Sequence, residues 1–285
     1  MNDQPLWTPH PDRVAASQVT AFMREVSGRF GIAISTYRDL HAWTVANPDR
    51  FWGLIWDSCG VIGDKGDRLV TDAGKMPGAK FLPDARLNFA ENLLRHSDAG
   101  EALVFRSEDK GAARMTWGEL SGLVARLQQA LRQAGVGVGD RVAAMLPNGP
   151  EAIALVLATT SIGAIWSSCS PDFGVQGVLD RFGQIEPKVL FAADGYWYNG
   201  KAIDSLAKVA EIARRLPTLE RVVLVPYIAE GADLSAVPKA ERIGDFIAAH
   251  AAREAEFAQL PFDHPLYVMY SSGTTGVPKC IVHGA

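Results

Sequence analysis

Tyr270-Ser271-Ser272-Gly273-Thr274-Thr275-Gly276-Val277-Pro278-Lys279 brings together three things that a polyphosphate cradle needs. Glycines let the backbone approach an anion closely, hydroxyls donate hydrogen bonds, and one lysine supplies positive charge. The order is not that of G-x-x-x-x-G-K-[S/T], where the lysine follows directly on the second glycine and a helix begins. Here Lys279 lies beyond Val277 and Pro278, and the flanking runs Leu266–Tyr270 and Cys280–His283 are strand-like. The loop is therefore expected as a flap between two strands. The same composition also suits a Ser/Thr/Gly hairpin with nothing bound, and spacing leaves both readings open.

Other reactive side chains do not form a constellation. Cys59, Cys169 and Cys280 are odd in number, widely spaced and in no C-x-x-C pair, which fits a reducing compartment and opposes a disulfide framework or a zinc site. His283 alternates with Ile281 along a predicted strand, which gives it a structural explanation, and His250 and His264 have no acid or nucleophile paired with them in sequence. No covalent nucleophile is assigned.

A loop of this kind needs a rigid frame. From about Ala102 onward, short apolar runs alternate with helical stripes. Thr116 and Glu119 have capping-box spacing ahead of Leu120, Leu123, Val124, Leu127 and Leu131, and Gly135 closes that helix. Strands are expected at Arg141–Leu146, from Ala164, at Lys188–Ala192 and at Arg221–Val225. Helices are expected at Glu151–Ile162, Val178–Ile185 and Ile203–Leu216. This alternation predicts an α/β fold with a doubly wound parallel sheet flanked by helices. Gly135-Val136-Gly137-Val138-Gly139-Asp140 resembles a dinucleotide fingerprint in composition, but it closes a helix and leads into a strand, the reverse of the required order.

The first ninety or so residues differ. Ala15, Val19, Phe22, Met23, Val26 and Phe30 recur at helical spacing, and Leu40 with Trp43, then Phe51, Trp52, Ile55 and Trp56, suggest two more helices divided at Pro48. The expectation is a mainly helical, aromatic-rich segment over residues 1–95 and an α/β domain over 96–285. Thr71–Pro83 reads as a linker rich in Gly, Pro and Lys.

Composition sets the outer limits. The 285 residues are 48% apolar, enough for a sizeable core, and the net charge of −4 argues against nucleic acid as the main partner. The most apolar window, Ala152–Trp166, falls short of the roughly twenty residues that span a bilayer, so no membrane insertion is expected. The start of the chain shows no basic stretch followed by an apolar core, and a cytoplasmic location is the default. Nothing sets the oligomeric state.

The full string Y-S-S-G-T-T-G-x-P-K resembles the phosphate-loop signature of the adenylate-forming superfamily of acyl-CoA synthetases, peptide-synthetase adenylation domains and luciferases. The resemblance implies that Ser271, Ser272, Gly273, Thr274, Thr275, Gly276 and Lys279 hold the ATP phosphates while a carboxylate attacks the α-phosphate. Lys279 would be the catalytic charge. Leu87–His96 looks like a helix of the acetyl-CoA synthetase branch, and Trp166–Gly174 with Asp180–Lys188 resembles acetoacetyl-CoA synthetases more closely than acetyl or propionyl enzymes. Thr275, Val277 and Cys280 depart from the common loop in the same direction.

The resemblance implies ATP, Mg2+ and CoA as reactants and cofactors, and activation of acetoacetate as an adenylate; acetate or propionate is the alternative acid. It also implies that the adenine, ribose and magnesium motifs, a hinge and a C-terminal catalytic lysine lie beyond the phosphate loop. The parallel sheet is thus expected to be incomplete and the 285 residues alone inactive, or else a non-catalytic nucleotide-binding or regulatory fragment. In the stretch corresponding to a CoA-contacting turn, Asp194–Lys201, only Lys201 keeps a positive charge; Trp197 with Tyr196 and Tyr198 could stack on adenine or serve as a packing contact.

Overall fold

The structure, a computed structural model, describes residues 5–96, 98–108, 111–271 and 276–284. It divides into two compact units, one of Met1–Val61 with Lys65–Asp84 and one of Ile62–Asp64 with Ala85–Ala285.

In the first unit, helices Pro11–Ala15, Gln18–Phe30, Tyr37–Ala46 and Pro48–Ser58 follow one another. Pro48 sits in the first turn of its helix, where a missing N–H costs nothing, so it separates two helices without kinking either. Thr36 and Asp39 form a capping box, and Val26, Leu40, Trp43 and Leu54 make a small core edged by Phe22, Phe30 and Phe51. Of the four tryptophans in this unit, Trp43 and Trp56 are buried, whereas Trp7 and Trp52 are exposed. The Thr71–Pro83 stretch is bracketed by a short antiparallel pair, Val70–Thr71 with Lys80–Phe81.

The second unit is built on a seven-stranded sheet. In chain order its strands are β1 (Arg141–Met145), β2 (Ile165–Cys169), β3 (Val189–Ala193), β4 (Arg221–Val225), β5 (Ala240–Arg242), β6 (Pro265–Ser271) and β7 (Lys279–Gly284). They lie in the order β5-β4-β3-β1-β2-β6-β7, with every neighbouring pair parallel except the antiparallel β6–β7 edge. Five helices pack on it: α1 (Trp117–Gln133), α2 (Pro150–Ser161), α3 (Val175–Ile185), α4 (Leu206–Arg215) and α5 (Ile243–Ala248).

The central strands β1, β3 and β4 are buried on both faces, as a covered parallel sheet requires. Val142, Ala144, Phe191 and Val223 meet Leu120, Val124, Leu127 and Leu131 of α1 and Leu155 and Ala158 of α2. The alternate residues Ala143, Met145, Leu190 and Leu224 meet Val178 and Phe182 of α3 and Val209 and Ile212 of α4. Truncating a fully buried residue such as Phe182 to Ala would cost about 3–5 kcal/mol. The capping box of α1 forms as the sequence indicates, with Thr116 N donating to Glu119 Oε2 at 2.8 Å and Glu119 N donating to Thr116 Oγ1 at 3.2 Å.

One expected element is corrected. The helix anticipated over Ile203–Leu216 begins only at Leu206, because Lys201–Asp204 pairs antiparallel with Gly195–Tyr198 as a hairpin. Asn199 and Gly200 at its tip have φ of 50° and 73°, the pair of left-handed conformations that a two-residue hairpin turn demands. Asp204 Oδ1 then accepts from Leu206 N at 2.7 Å and starts the helix. Among the described residues, no helix is long and apolar enough to cross a membrane.

Candidate functional site

β6 and β7 form the expected hairpin, in register from Tyr267↔His283 to Ser271↔Lys279. β6 also pairs in parallel with β2, Tyr267 opposite Trp166, so the mouth of the loop opens at the carboxyl edge of the sheet beside the end of β2. There the chain switches direction: α2 leads from β1 to β2 on one side, and α3 leads from β2 to β3 on the other. Open α/β sheets bind ligands in the crevice at such a switch.

Ser271 and Lys279 stand opposite each other at the mouth, Ser271 half-buried and Lys279 exposed. Lys279 makes no side-chain hydrogen bond or ion pair among the described residues. Gly276 has a φ of 93°, a conformation that a side chain would strain. Ser272, Gly273, Thr274 and Thr275 lie outside the described residues.

Both arms of the loop rest on α3. On the entry arm, the Arg181 guanidinium lies 5.7 Å from the centre of the Tyr270 ring and 4.4 Å from that of Phe173, while its Nη1 donates to Gly177 O at 2.7 Å. On the exit arm, Gln184 Nε2 donates to Pro278 O at 2.8 Å, and the Cys280 thiol lies 3.5 Å from Gln184 Oε1. Behind Tyr270, the Ser167 hydroxyl bonds both Val268 O, at 2.8 Å, and the Tyr270 hydroxyl, at 3.0 Å. Burial pushes the Tyr270 phenol up to about 12, with the Ser167 bond pulling the other way.

The end of β2 carries a thiol unsuited to nucleophilic work. Burial pushes Cys169 up to about 12 against the opposing pull of Arg181 and Lys208, so it stays a thiol at neutral pH. Burial also lowers the Lys208 amine, Asp172 opposing it. Lys208 Nζ donates to Pro171 O and lies 5.3 Å from the centre of the Tyr196 ring, which ties the segment after β2 to the hairpin after β3.

In that hairpin Lys201 is exposed opposite Tyr198, and Trp197 is half-buried opposite Ala202. Gly195 at its base admits no side chain, since a Cβ there would stand 2.5 Å from Ile203 O and collide with Ile228. The carboxylate of Asp194, itself buried, accepts from the backbone N–H groups of Tyr227, Ile228 and Ala229 at 2.7, 3.0 and 2.9 Å and so fixes the neighbouring loop. The stretch is an antiparallel strand pair with Lys201 directly after its Asn199–Gly200 turn.

Several residues placed here by the structure had no role in the sequence reading. Ser167, Arg181 and Gln184 fall within the quoted stretches Trp166–Gly174 and Asp180–Lys188, yet only the fold brings them to Tyr270, Pro278 and Cys280. A signal existed in the spacing of Arg181 and Gln184, three residues apart and so on one helical face. His264 and His283 pack structurally: His264 Nε2 lies 2.9 Å from Gly163 O and the His283 ring 5.5 Å from that of Tyr267. No group of three or more His, Cys, Asp or Glu able to hold a metal ion converges among the described residues, so the Mg2+ that the resemblance implies is given no ligands here.

The family described as AMP-binding enzyme matches residues 89–285, and the acetyl-coenzyme A synthetase N-terminus matches residues 37–93. The chain belongs to the AMP-binding enzyme family. It is 54% identical over 99% of its length to the acetoacetyl-coenzyme A synthetase of Rhizobium meliloti (strain 1021), and 42% identical over 100% to that of Rattus norvegicus. It is also 41% identical over 95% to the malonamoyl-CoA synthetase of Penicillium aethiopicum. Among solved structures, the acetoacetyl-CoA synthetase from Streptomyces lividans superposes with a TM-score of 0.91 at 42% identity over 99% of this chain. The chain spans 43% of the Rhizobium relative, 44% of the rat relative, 39% of the Penicillium relative and 43% of the Streptomyces structure.

Proposed function

We propose that this chain is the first part of an ATP-dependent acid–thiol ligase that activates acetoacetate as its adenylate and transfers the acyl group to CoA. The observation that carries the reading is the hairpin mouth at the switch point of the sheet, where Ser271 faces an exposed Lys279 that has no anionic partner among the described residues. Likeness to acetoacetyl-CoA synthetases along 99% of the chain supports the acid.

In this reading Ser271, Ser272, Gly273, Thr274, Thr275 and Gly276 offer donors and close backbone approach to the ATP phosphates, and Lys279 offsets the charge that builds on departing pyrophosphate. Lys201, with Trp197 beside it, contacts the CoA nucleotide from the hairpin after β3. Magnesium, when bound, adds charge neutralisation on the phosphates. A cytoplasmic site of action belongs to the same reading, and neither nucleic acid nor membrane has a part in it.

A second reading changes only the acid. The malonamoyl-CoA synthetase relative favours another short acid carrying a carbonyl on its β-carbon. Acid-dependent ATP–pyrophosphate exchange by the full-length protein separates the readings. Acetoacetate should outpace malonamate, acetate and propionate, and a preference for any of these would replace the assignment.

A further inference from the structure

α3 touches both arms of the loop, one helical turn apart. Arg181 packs on Tyr270, the residue before the loop, and Gln184 bonds the backbone at Pro278, the residue before Lys279. The Gln184 carboxamide is itself fixed, because Nε2 also donates to Asp180 O at 2.6 Å, one turn back in its own helix. Its other end takes the Cys280 thiol. The residues immediately before and after Lys279 are thus both held by one side chain on a helix whose Val178, Phe182 and Ile185 are anchored in the core. From the geometry we infer that Gln184 is a positioning residue: it sets the height of Lys279 at the mouth of the phosphate loop by clamping Pro278 and Cys280 to α3.

The physical reason is pre-organisation. An exposed lysine on an edge strand has several free rotors, and the strand itself has no neighbour on its outer side among the described residues. Charge stabilisation depends on the donor being in place before the transition state forms. A hydrogen bond to the main-chain carbonyl before Lys279 and one to the Cys280 thiol after it hold its backbone on both sides, which leaves only the side chain to order. Pro278, lacking an N–H, offers its carbonyl as its backbone's sole polar contact, and Gln184 supplies a donor to it.

This inference rests on the phosphate-binding reading of the loop but not on the identity of the acid. Gln184→Ala and Gln184→Glu in the full-length protein test it, the second keeping the shape while removing the donor to Pro278. Two half-reactions are compared: adenylate formation from ATP, and thioester formation from supplied acyl-adenylate and CoA, in which neither ATP nor free pyrophosphate takes part. Adenylation should fall about three- to tenfold in Gln184→Ala, the scale of one lost hydrogen bond, and at least as far in Gln184→Glu. Thioester formation should stay at the parent rate.

Inorganic pyrophosphate with magnesium, titrated calorimetrically, gives a readout that needs no turnover, and its affinity should drop by a similar factor. Equal losses in both half-reactions would mark Gln184 as merely structural and overturn the inference. So would adenylation and pyrophosphate affinity both unchanged in the variants. A parent protein active on malonamate instead of acetoacetate would defeat the acid assignment alone.

Discussion

Ser167, wholly enclosed on β2, holds the hydroxyl of Tyr270 at 3.0 Å and the carbonyl of Val268 at 2.8 Å, so that one small side chain joins the centre of the sheet to the base of the loop. A buried hydroxyl that loses its partner costs about 1–3 kcal/mol, more than the net worth of the bond. Ser167→Ala should therefore destabilise the protein by that amount in a urea titration. In a Tyr270→Phe background the cost of Ser167→Ala should shrink, since the orphaned phenol is gone; strict additivity would show that the two residues are not coupled.

Thiol reactivity should separate two of the cysteines. Cys280 is exposed beside Lys279, whereas burial pushes Cys169 up to about 12. At neutral pH iodoacetamide should label Cys280 readily and leave Cys169 unmodified in the folded protein, read by mass spectrometry of peptides. Both Cys169 and Tyr270 have folded pKa values raised above their ordinary 9.0 and 10.0. Their stabilisation is complete below those ordinary values and is lost as pH rises toward about 12. The urea midpoint should fall across that alkaline window, and the Tyr270→Phe variant should lose less there.

Lys201→Glu in the full-length protein places a negative charge at the tip of the hairpin after β3. The apparent KM for CoA should rise about two- to tenfold, the reach of one exposed charge contact, while pyrophosphate exchange is spared. An unchanged CoA dependence would remove Lys201 and Trp197 from the CoA site.

β7 is exposed along its whole length and forms one edge of the sheet, with Ile281 and Val282 open to solvent. Such an edge is a template for pairing with another chain. The 285-residue polypeptide alone should self-associate at micromolar concentration, seen by dynamic light scattering, and Val282→Lys should reduce the association. A stable monodisperse monomer would refute this.

Much of the frame was legible because its signals are local. The Thr116–Glu119 box, Pro48 at a helix start, the reversed order of glycines around Gly135 and the two strands around the loop each follow from neighbouring residues. The sheet order was not legible beyond its class, since long-range pairing such as Tyr267 with Trp166 leaves no periodic trace. The Lys201–Asp204 strand was missed although Asn199-Gly200 is a strong turn signal; the helical spacing of Ile203 with later residues outweighed it. Ser167 looks like an ordinary strand residue in sequence, and the shared helical face of Arg181 and Gln184 acquires a meaning only through their contacts with Tyr270 and Pro278.

Acetoacetate-dependent ATP–pyrophosphate exchange by the full-length protein, compared with its Lys279→Ala variant, is the most direct test of the phosphate-loop reading. The parent should exchange label only when both ATP and the acid are present, and the variant should be slower by about tenfold or more, the loss expected for one electrostatic contact to a developing charge. Equal exchange by the two proteins would contradict a role for Lys279 in adenylation.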